Sequence, residues 1–453
     1  MLIGFSVENC FSFAERTNFS MIPGLGRLKK EHINQPICGI KTLKTAIAFG
    51  ANAAGKSNLI KAILLGKQMV ILGQLDGPKV SYSPYRLHKQ FSQKNSRIEF
   101  EIQVSTKNYA YGFVFNHDKI VEEWLFEITK TEEKKIFERF NTTNFDITPL
   151  IQKQKNLEHQ QFLKFVAQAT PENQLFLREM ISRRVKENVR DIRDITNVYD
   201  WFSQSLKILL PNDKYKEEIA TELIDDNELH AIIEQLLAYF GTGIDGIELR
   251  DVDFKSLNLP TPLYDQIRAD ILAQKADTRA MLQTPENTYF LSKHNGEIIV
   301  QKFMTKHKIY DSDLVELFDT KDESDGTNKI IDFIPMIIDL LRGNSVFIID
   351  EIERSLHPNL IYDIFDIYLK SAKDIQSQLI VTTHESSLLT QKLIRKDEVW
   401  FVTKNELGTQ LHSLEEYNVR FDKDIRKDYL LGRYKAIPRL GNRDDALSQI
   451  KIK

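Results

Sequence analysis

The run Gly50-Ala51-Asn52-Ala53-Ala54-Gly55-Lys56-Ser57 fits the spacing GxxxxGK[ST], and residues of those types in that order cradle phosphate. Successive backbone N–H groups wrap the phosphates, the following helix presents its positive end, Lys56 reaches the β- and γ-phosphates, and Ser57 ligates Mg²⁺. Gly50 and Gly55 let the backbone turn and approach closely, with Asn52 and Asn58 beside them as further nucleotide-contact candidates. A chance match in a chain of this length has a probability of about a few per cent at average residue usage. The context lowers it, because an apolar, strand-like stretch at 45–49 precedes the loop and a helix-like one follows. The loop implies a nucleoside triphosphate with Mg²⁺.

Such a loop needs elements that bring acids to the phosphates. Residues Ser345-Val346-Phe347-Ile348-Ile349-Asp350-Glu351 form an apolar run ending in two carboxylates, the pattern of a buried parallel strand with acids at its C-terminal edge. It looks like a Walker B strand, in which Asp350 holds Mg²⁺ through water and Glu351 orients and deprotonates the attacking water. An acid pair at a strand end equally suits a turn, and Lys56 is what tips the reading towards chemistry. Leu379-Ile380-Val381-Thr382-Thr383-His384 is a second buried strand, ending in a histidine. Glu323-Ser324-Asp325-Gly326-Thr327 opens a helical run at 328–341, about one helix length before the Walker B strand. Taken singly, the last two read as a strand end and a turn; their order and spacing carry the weight.

Together, Lys56, Ser324 to Thr327, Asp350-Glu351, Ser355-Leu356-His357-Pro358 and His384 resemble the ABC-type ATPase heads of the SMC, RecF and OLD group. Within it the chain resembles the stand-alone RloA-like and AriA-like ATPases found in anti-phage and abortive-infection loci of bacteria. Phe5-Ser6-Val7-Glu8-Asn9-Cys10-Phe11-Ser12-Phe13, Val121-Glu122-Glu123-Trp124-Leu125 and Tyr429-Leu430-Leu431-Gly432-Arg433-Tyr434-Lys435-Ala436-Ile437-Pro438 add to the likeness, which covers both ends well and the middle poorly. The resemblance implies that Ser324 and Gly326 form the signature touching the γ-phosphate held by a second subunit, that Ser355 to Pro358 is a D-loop at the dimer interface, and that His384 senses γ-phosphate. Tyr85-Arg86-Leu87 occupies the place of the Q-loop. The signature departs from LSGGQ, with Asp325 in place of a Gly and Thr327 in place of Gln.

At 453 residues, 42% hydrophobic and 10% aromatic, the chain can form two or three domains with substantial cores. Lys and Arg number 61 against 64 Asp and Glu, a net charge of −3, so there is no global electrostatic case for nucleic acid. Cys10 and Cys38 are the only cysteines and lack metal-ligand spacing, which with a nucleotide site fits a reducing cytoplasm. The N-terminus does not read as a signal peptide, and no run approaches the roughly 18 apolar residues of a bilayer span. These features point away from a transporter and from a membrane partner.

The expected architecture is α/β: an ABC-type P-loop ATPase head with an antiparallel β-subdomain and an inserted helical lobe. Residues 1–150 supply the N-terminal half of the head and the β-subdomain, 151–285 the helical lobe, and 286–453 the C-terminal half. Period-two stretches at 98–104, 109–115 and 120–128 read as a strand meander. Helical patterns fall at 160–167, 172–186, 195–210, 217–223 and 228–240, a strand at 244–252, and a hairpin at 289–303 turning on Asn295-Gly296. Residues 23–30, with Pro23, Gly24, Gly26, Arg27, Lys29 and Lys30, read as a loop. Phe11 or Phe13 could pack near an adenine, although aromatic residues of this kind more often belong to the core. Arg178, Arg183, Arg184, Lys186, Arg190 and Arg193 form the densest basic stretch. It reads as a solvated helix face balanced by Glu179, Glu187, Asp191 and Asp194, with a nucleic-acid or partner surface as the other reading.

The expected function is an ATP-dependent switch. Two heads pair across ATP, and hydrolysis through Glu351 releases them. The resemblance implies anti-phage defence through a toxic effector, and because 69 residues follow His384, too few for a TOPRIM nuclease domain, that effector is expected to be separately encoded. Two other readings stay open: a RecF/SMC-like DNA-binding ATPase of repair or chromosome maintenance, and a scaffold that binds ATP without appreciable turnover.

Overall fold

In the computed structural model the chain opens with β1 (Leu2–Glu8) and β2 (Thr17–Ser20), passes through β3 (Thr45–Gly50) into the helix Lys56–Ile71, and then makes the meander β4 (Ser96–Val104), β5 (Lys107–Phe115), β6 (Ile120–Ile128), β7 (Glu133–Phe140) and β8 (Asn144–Asp146). The structure describes residues 1–438 apart from 27, 74–79, 214, 216–226, 258, 274–278, 285–286, 295, 355, 372–373 and 418–423. Two units divide the chain: the first holds Met1–Pro211, Leu340–Glu353 and everything from Phe365 onward, the second Asn212–Asp339 and Arg354–Ile364.

The first unit contains two sheets. One has seven strands in the order β2-β1-β4-β5-β6-β7-β8, with every pair antiparallel. Alternation explains it: Ile98, Phe100 and Ile102 are fully buried, with Phe100 edge-on to Trp201 and Phe202. The other sheet runs β18 (Gly408–Ser413), β17 (Val399–Asn405), β3, β16 (Gln378–Thr383), β15 (Val346–Ile349) and β9 (Leu206–Leu209). Its strands from β17 to β9 are mutually parallel, and β3, β15 and β16 are buried at every position, as a sheet covered on both faces requires.

Residues read as one helix at 195–210 divide into the helix Arg193–Asp200, a π turn at Trp201–Ser205 and the edge strand β9. The run Leu206 to Leu209 suits either period, and parallel pairing with β15, distant in sequence, decides it. The pattern at 172–186 also breaks, into Phe176–Ser182 and Val185–Asn188, where Arg184 takes φ +51°. Three of the basic side chains pair locally, Arg183 with Glu179, Arg184 with Glu187 and Arg193 with Asp191, the pattern of a solvated face. The meander strands and the helices Leu157–Gln168 and Asn227–Tyr239 fall where the pattern placed them; the helix read at 217–223 lies outside the described residues.

One buried acid organises the contact between the meander and these helices. Glu123 is fully buried on β6 and accepts hydrogen bonds from the backbone N–H groups of Phe176 (2.6 Å) and Leu177 (3.0 Å) and from the Tyr111 hydroxyl (3.0 Å). It thereby satisfies N–H groups that the start of a helix leaves without partners. Burial raises its carboxyl above the ordinary value near 4.5, against the opposing pull of the Leu177 N–H and of Arg139. A raised folded-state pKa means that its contribution to stability is full at acid pH and is lost as pH climbs through that raised value. Glu123→Gln, which does not titrate, should therefore show a smaller fall in denaturation midpoint from about pH 4.5 to neutrality than wild type; equal falls would remove this role.

The second unit, taken by itself, carries β10 (Gly246–Val252), β11 (Arg279–Gln283), β12 (Thr288–His294), β13 (Glu297–Lys308) and β14 (Val315–Asp319) in an antiparallel sheet ordered β10-β13-β12-β11, with β14 also on β13. The strand read at 244–252 and the hairpin are thus parts of one larger sheet. Gly296 turns at φ +85°, while Asn295 lies outside the described residues. Phe254, Ile271, Tyr289, Leu291 and Val300 form a small core. No helix among the described residues is long and apolar enough to cross a membrane.

Candidate nucleotide site

The phosphate loop closes β3 and opens the helix Lys56–Ile71. Gly50 lies so close to β17 that a Cβ would meet the Val402 carbonyl oxygen at 2.6 Å. Gly55 has φ +112°, and a Cβ there would stand 2.0 Å from Thr409 Oγ1, so both strain and space demand glycine. No side chain caps the helix, and its first turn holds no acid; that leaves N–H groups and a positive helix end for an anion. Asn52 is exposed on the loop, whereas Ser57 and Asn58 are half-buried in the helix's first turn. Gly55→Ala should cost about 1–3 kcal/mol through strain alone and displace Thr409, lowering both the unfolding temperature and ATP affinity. Unchanged values would show that the loop relaxes freely.

Lys56 is buried, and its Nζ donates to the Gly50 carbonyl (2.9 Å), the Ala51 carbonyl (3.4 Å) and His384 Nε2 (2.8 Å). With Nε2 accepting, a neutral His384 carries its proton on Nδ1. Burial lowers the Lys56 ammonium, opposed first by Glu353 and then by Asp350 and Glu351. Burial, then the Lys56 charge, lowers His384 below its ordinary range, which favours the neutral ring.

Strand order accounts for this convergence. The strand ending in His384, β16, lies between the loop strand β3 and β15, which ends beside Asp350. All three are parallel, so their C-terminal ends deliver Lys56, His384 and the acids to one edge, the place where open parallel sheets bind ligands. Asp350 is buried and accepts a hydrogen bond from the Thr382 hydroxyl, which in turn accepts the N–H of Glu351 at 2.9 Å. Glu351 has φ +52°, an uncommon conformation for a residue bearing a side chain. Hard oxygen donors of the Asp350 and Ser57 kind suit Mg²⁺.

Ser324 and Gly326 belong to the second unit. Ser324 is exposed and caps the helix Asp325–Arg342, its Oγ accepting the Thr327 N–H at 3.0 Å. Glu323 just before it accepts from Thr305 and pairs with His307 at 2.7 Å. Of the D-loop segment, Ser355 lies outside the described residues, His357 is exposed, and Pro358 begins the helix Pro358–Ser371.

Several contributors escaped the sequence pattern. Thr382 sits inside a run already singled out and Glu353 just past another, and their signal is a polar residue within an apolar strand and a third acid in Asp350-Glu351-Ile352-Glu353. Ser12, in a stretch quoted only for its resemblance, and Thr409 carried no chemical signal: Thr409 Oγ1 bonds Ser12 Oγ (2.7 Å) and the Ala54 carbonyl (2.8 Å), bracing the loop from two distant segments. Beside them a cavity of about 340 Å³ is lined by Phe11, Ser12, Tyr85, Arg86 and Lys404 among others. Phe11 faces that cavity, while Phe13 is fully buried in the core. Tyr85 is buried, its hydroxyl on the Glu406 carbonyl.

Comparison with known proteins gives one family match: the model described as "AAA domain, putative AbiEii toxin, Type IV TA system" covers residues 49–390. No curated protein matches. Among solved structures, the chain is similar to a SmcHead bound to the C-winged helix domain of ScpA (13% identity, TM-score 0.39, 92% of this chain and 98% of that one). It is also similar to an SMC head domain from Thermotoga maritima (10%, 0.38, 91% and 98%). A third is an Smc head domain with an extended coiled coil bound to the C-terminal domain of ScpA derived from Pyrococcus furiosus (12%, 0.36, 96% and 99%).

Proposed function

The chain belongs to the AAA-domain family of the AbiEii type, its matched span taking in about three quarters of the sequence, and from that membership we propose that it is an ATP-hydrolysing switch controlling a separately encoded toxic effector in bacterial anti-phage defence. Its fold is that of an ABC-type P-loop ATPase head, a parallel nucleotide-binding sheet joined to an antiparallel β-subdomain. The observation that carries the enzymatic part is the meeting of Lys56, Asp350, Glu351 and His384 at one sheet edge. The defence part is supported by the toxin–antitoxin description of the family and by the resemblance to RloA-like and AriA-like ATPases.

In this reading Lys56 exchanges His384 and the loop carbonyls for the β- and γ-phosphates of ATP. Ser57 and Asp350 would hold Mg²⁺, which when bound would neutralise phosphate charge. Glu351 accepts the proton of the attacking water, and His384, freed from Lys56, reports on the γ-phosphate. Phosphoryl transfer asks mainly for positioning and charge neutralisation, which a buried lysine and a strand-end acid pair supply. Ser324 and Gly326 of a second copy complete the site, so ATP favours paired heads and hydrolysis parts them. The coupling requires that ATP bind the paired state more tightly.

Hydrolysis and particle mass, measured together with and without DNA, test this. Nucleotide-dependent assembly with no stimulation by DNA is expected. Hydrolysis that rises with DNA and falls steeply with salt would replace the defence role with a DNA-repair or chromosome-maintenance one.

A further inference from the structure

Past Thr383, which pairs with Phe49, β16 has no further ladder partner, yet His384 must be held if its ring is to stay on Lys56. The backbone N–H of His384 donates to Glu353 Oε1 at 2.6 Å. Glu353 follows a turn that is itself stitched to β16: Thr382 bonds Asp350 and Glu351 through its hydroxyl, and its carbonyl accepts from the Ile352 N–H at 3.2 Å. The second carboxylate oxygen of Glu353, Oε2, is buried without a hydrogen-bond partner among the described residues. A buried acceptor left unpaired is costly, and such groups call for an explanation beyond stability.

We propose that Glu353 is the positioning residue for His384, fastening the end of the histidine's strand to the turn that carries Asp350 and Glu351. The proposal rests on the reading of this edge as an ATPase site and adds to it a residue with a role separate from phosphate or metal binding. Two contacts then fix the histidine, Glu353 on its main chain and Lys56 on its ring. The ring contact is the one ATP displaces, and the main-chain contact keeps His384 in place while that happens.

ATP turnover, binding of a fluorescent ATP analogue and thermal unfolding should be compared for wild type, E353A, E353M, E353Q, H384A and E353M/H384A. E353A and E353M lack the acceptor and should lose up to about 100-fold in kcat, the scale of an ångström-sized misplacement, with analogue affinity kept within a few-fold. E353Q presents an amide oxygen to the same N–H and should recover most of the rate. E353M/H384A should be no slower than H384A, because residues acting as one unit are not additive. Wild-type kcat in folded E353A or E353M would overturn the proposal, as would full additivity with H384A. Should the alanine variant fail to fold, E353M and E353Q carry the comparison. If wild type neither binds nor hydrolyses ATP, the site reading fails and takes the positioning role with it; active wild type with an indifferent Glu353 refutes the positioning role alone.

Discussion

Lys56→Ala protein should bind ATP about 10- to 100-fold more weakly than wild type, because a hydrogen bond to a charged group contributes about 1.5–3 kcal/mol and Lys56 is a cation buried within the loop itself. The same change should not unfold the protein. The ammonium is kept in the folded state against desolvation, which its bonds to Gly50, Ala51 and His384 and the nearby carboxylates offset, so replacing it with a methyl group relieves burial as well as removing bonds. Isothermal titration and a thermal scan on one preparation read both effects. Wild-type affinity in the variant would mean that the loop does not hold phosphate, whereas loss of folding would assign Lys56 a structural duty that its contacts with Gly50 and Ala51 only partly account for.

Glu351→Gln should keep ATP bound and lose hydrolysis by about 10²–10⁴-fold, the usual contribution of a general base. The backbone at Glu351 is already held in a left-handed conformation by its N–H on Thr382, and glutamine fills the same space, so the turn should survive the exchange. Because ATP then persists, paired assemblies should accumulate, visible as a shift in particle mass on adding ATP with Mg²⁺. Normal turnover in this variant would move the base elsewhere.

The chemistry of this chain was local, and so it was legible. A phosphate loop is made from neighbouring backbone N–H groups with glycines between them, and an apolar run ending in two acids is read within seven residues. The β-subdomain meander was equally plain because strands joined by short turns carry their alternation with them. Partnership between distant segments was not. Nothing in Thr409 announces that it will brace Gly55 and Ser12, and Leu206 to Leu209 became an edge strand because β15, far along the chain, offered it a ladder. Glu123 stands in a segment noticed for its resemblance, yet its burial against the Phe176 helix follows from packing alone.

The sequence by itself therefore determined which groups are the candidates to meet a triphosphate: Lys56, Ser57, Asp350, Glu351 and a histidine at a strand end. Tertiary structure decided how they meet, by inserting β16 between β3 and β15 so that His384 stands against Lys56 and Glu353 can hold it. The physical reason is that spacing within a loop or strand is set by covalent geometry and local periodicity. The order of strands in a sheet is set by which buried faces and ladders pair across hundreds of residues, a choice no single segment records.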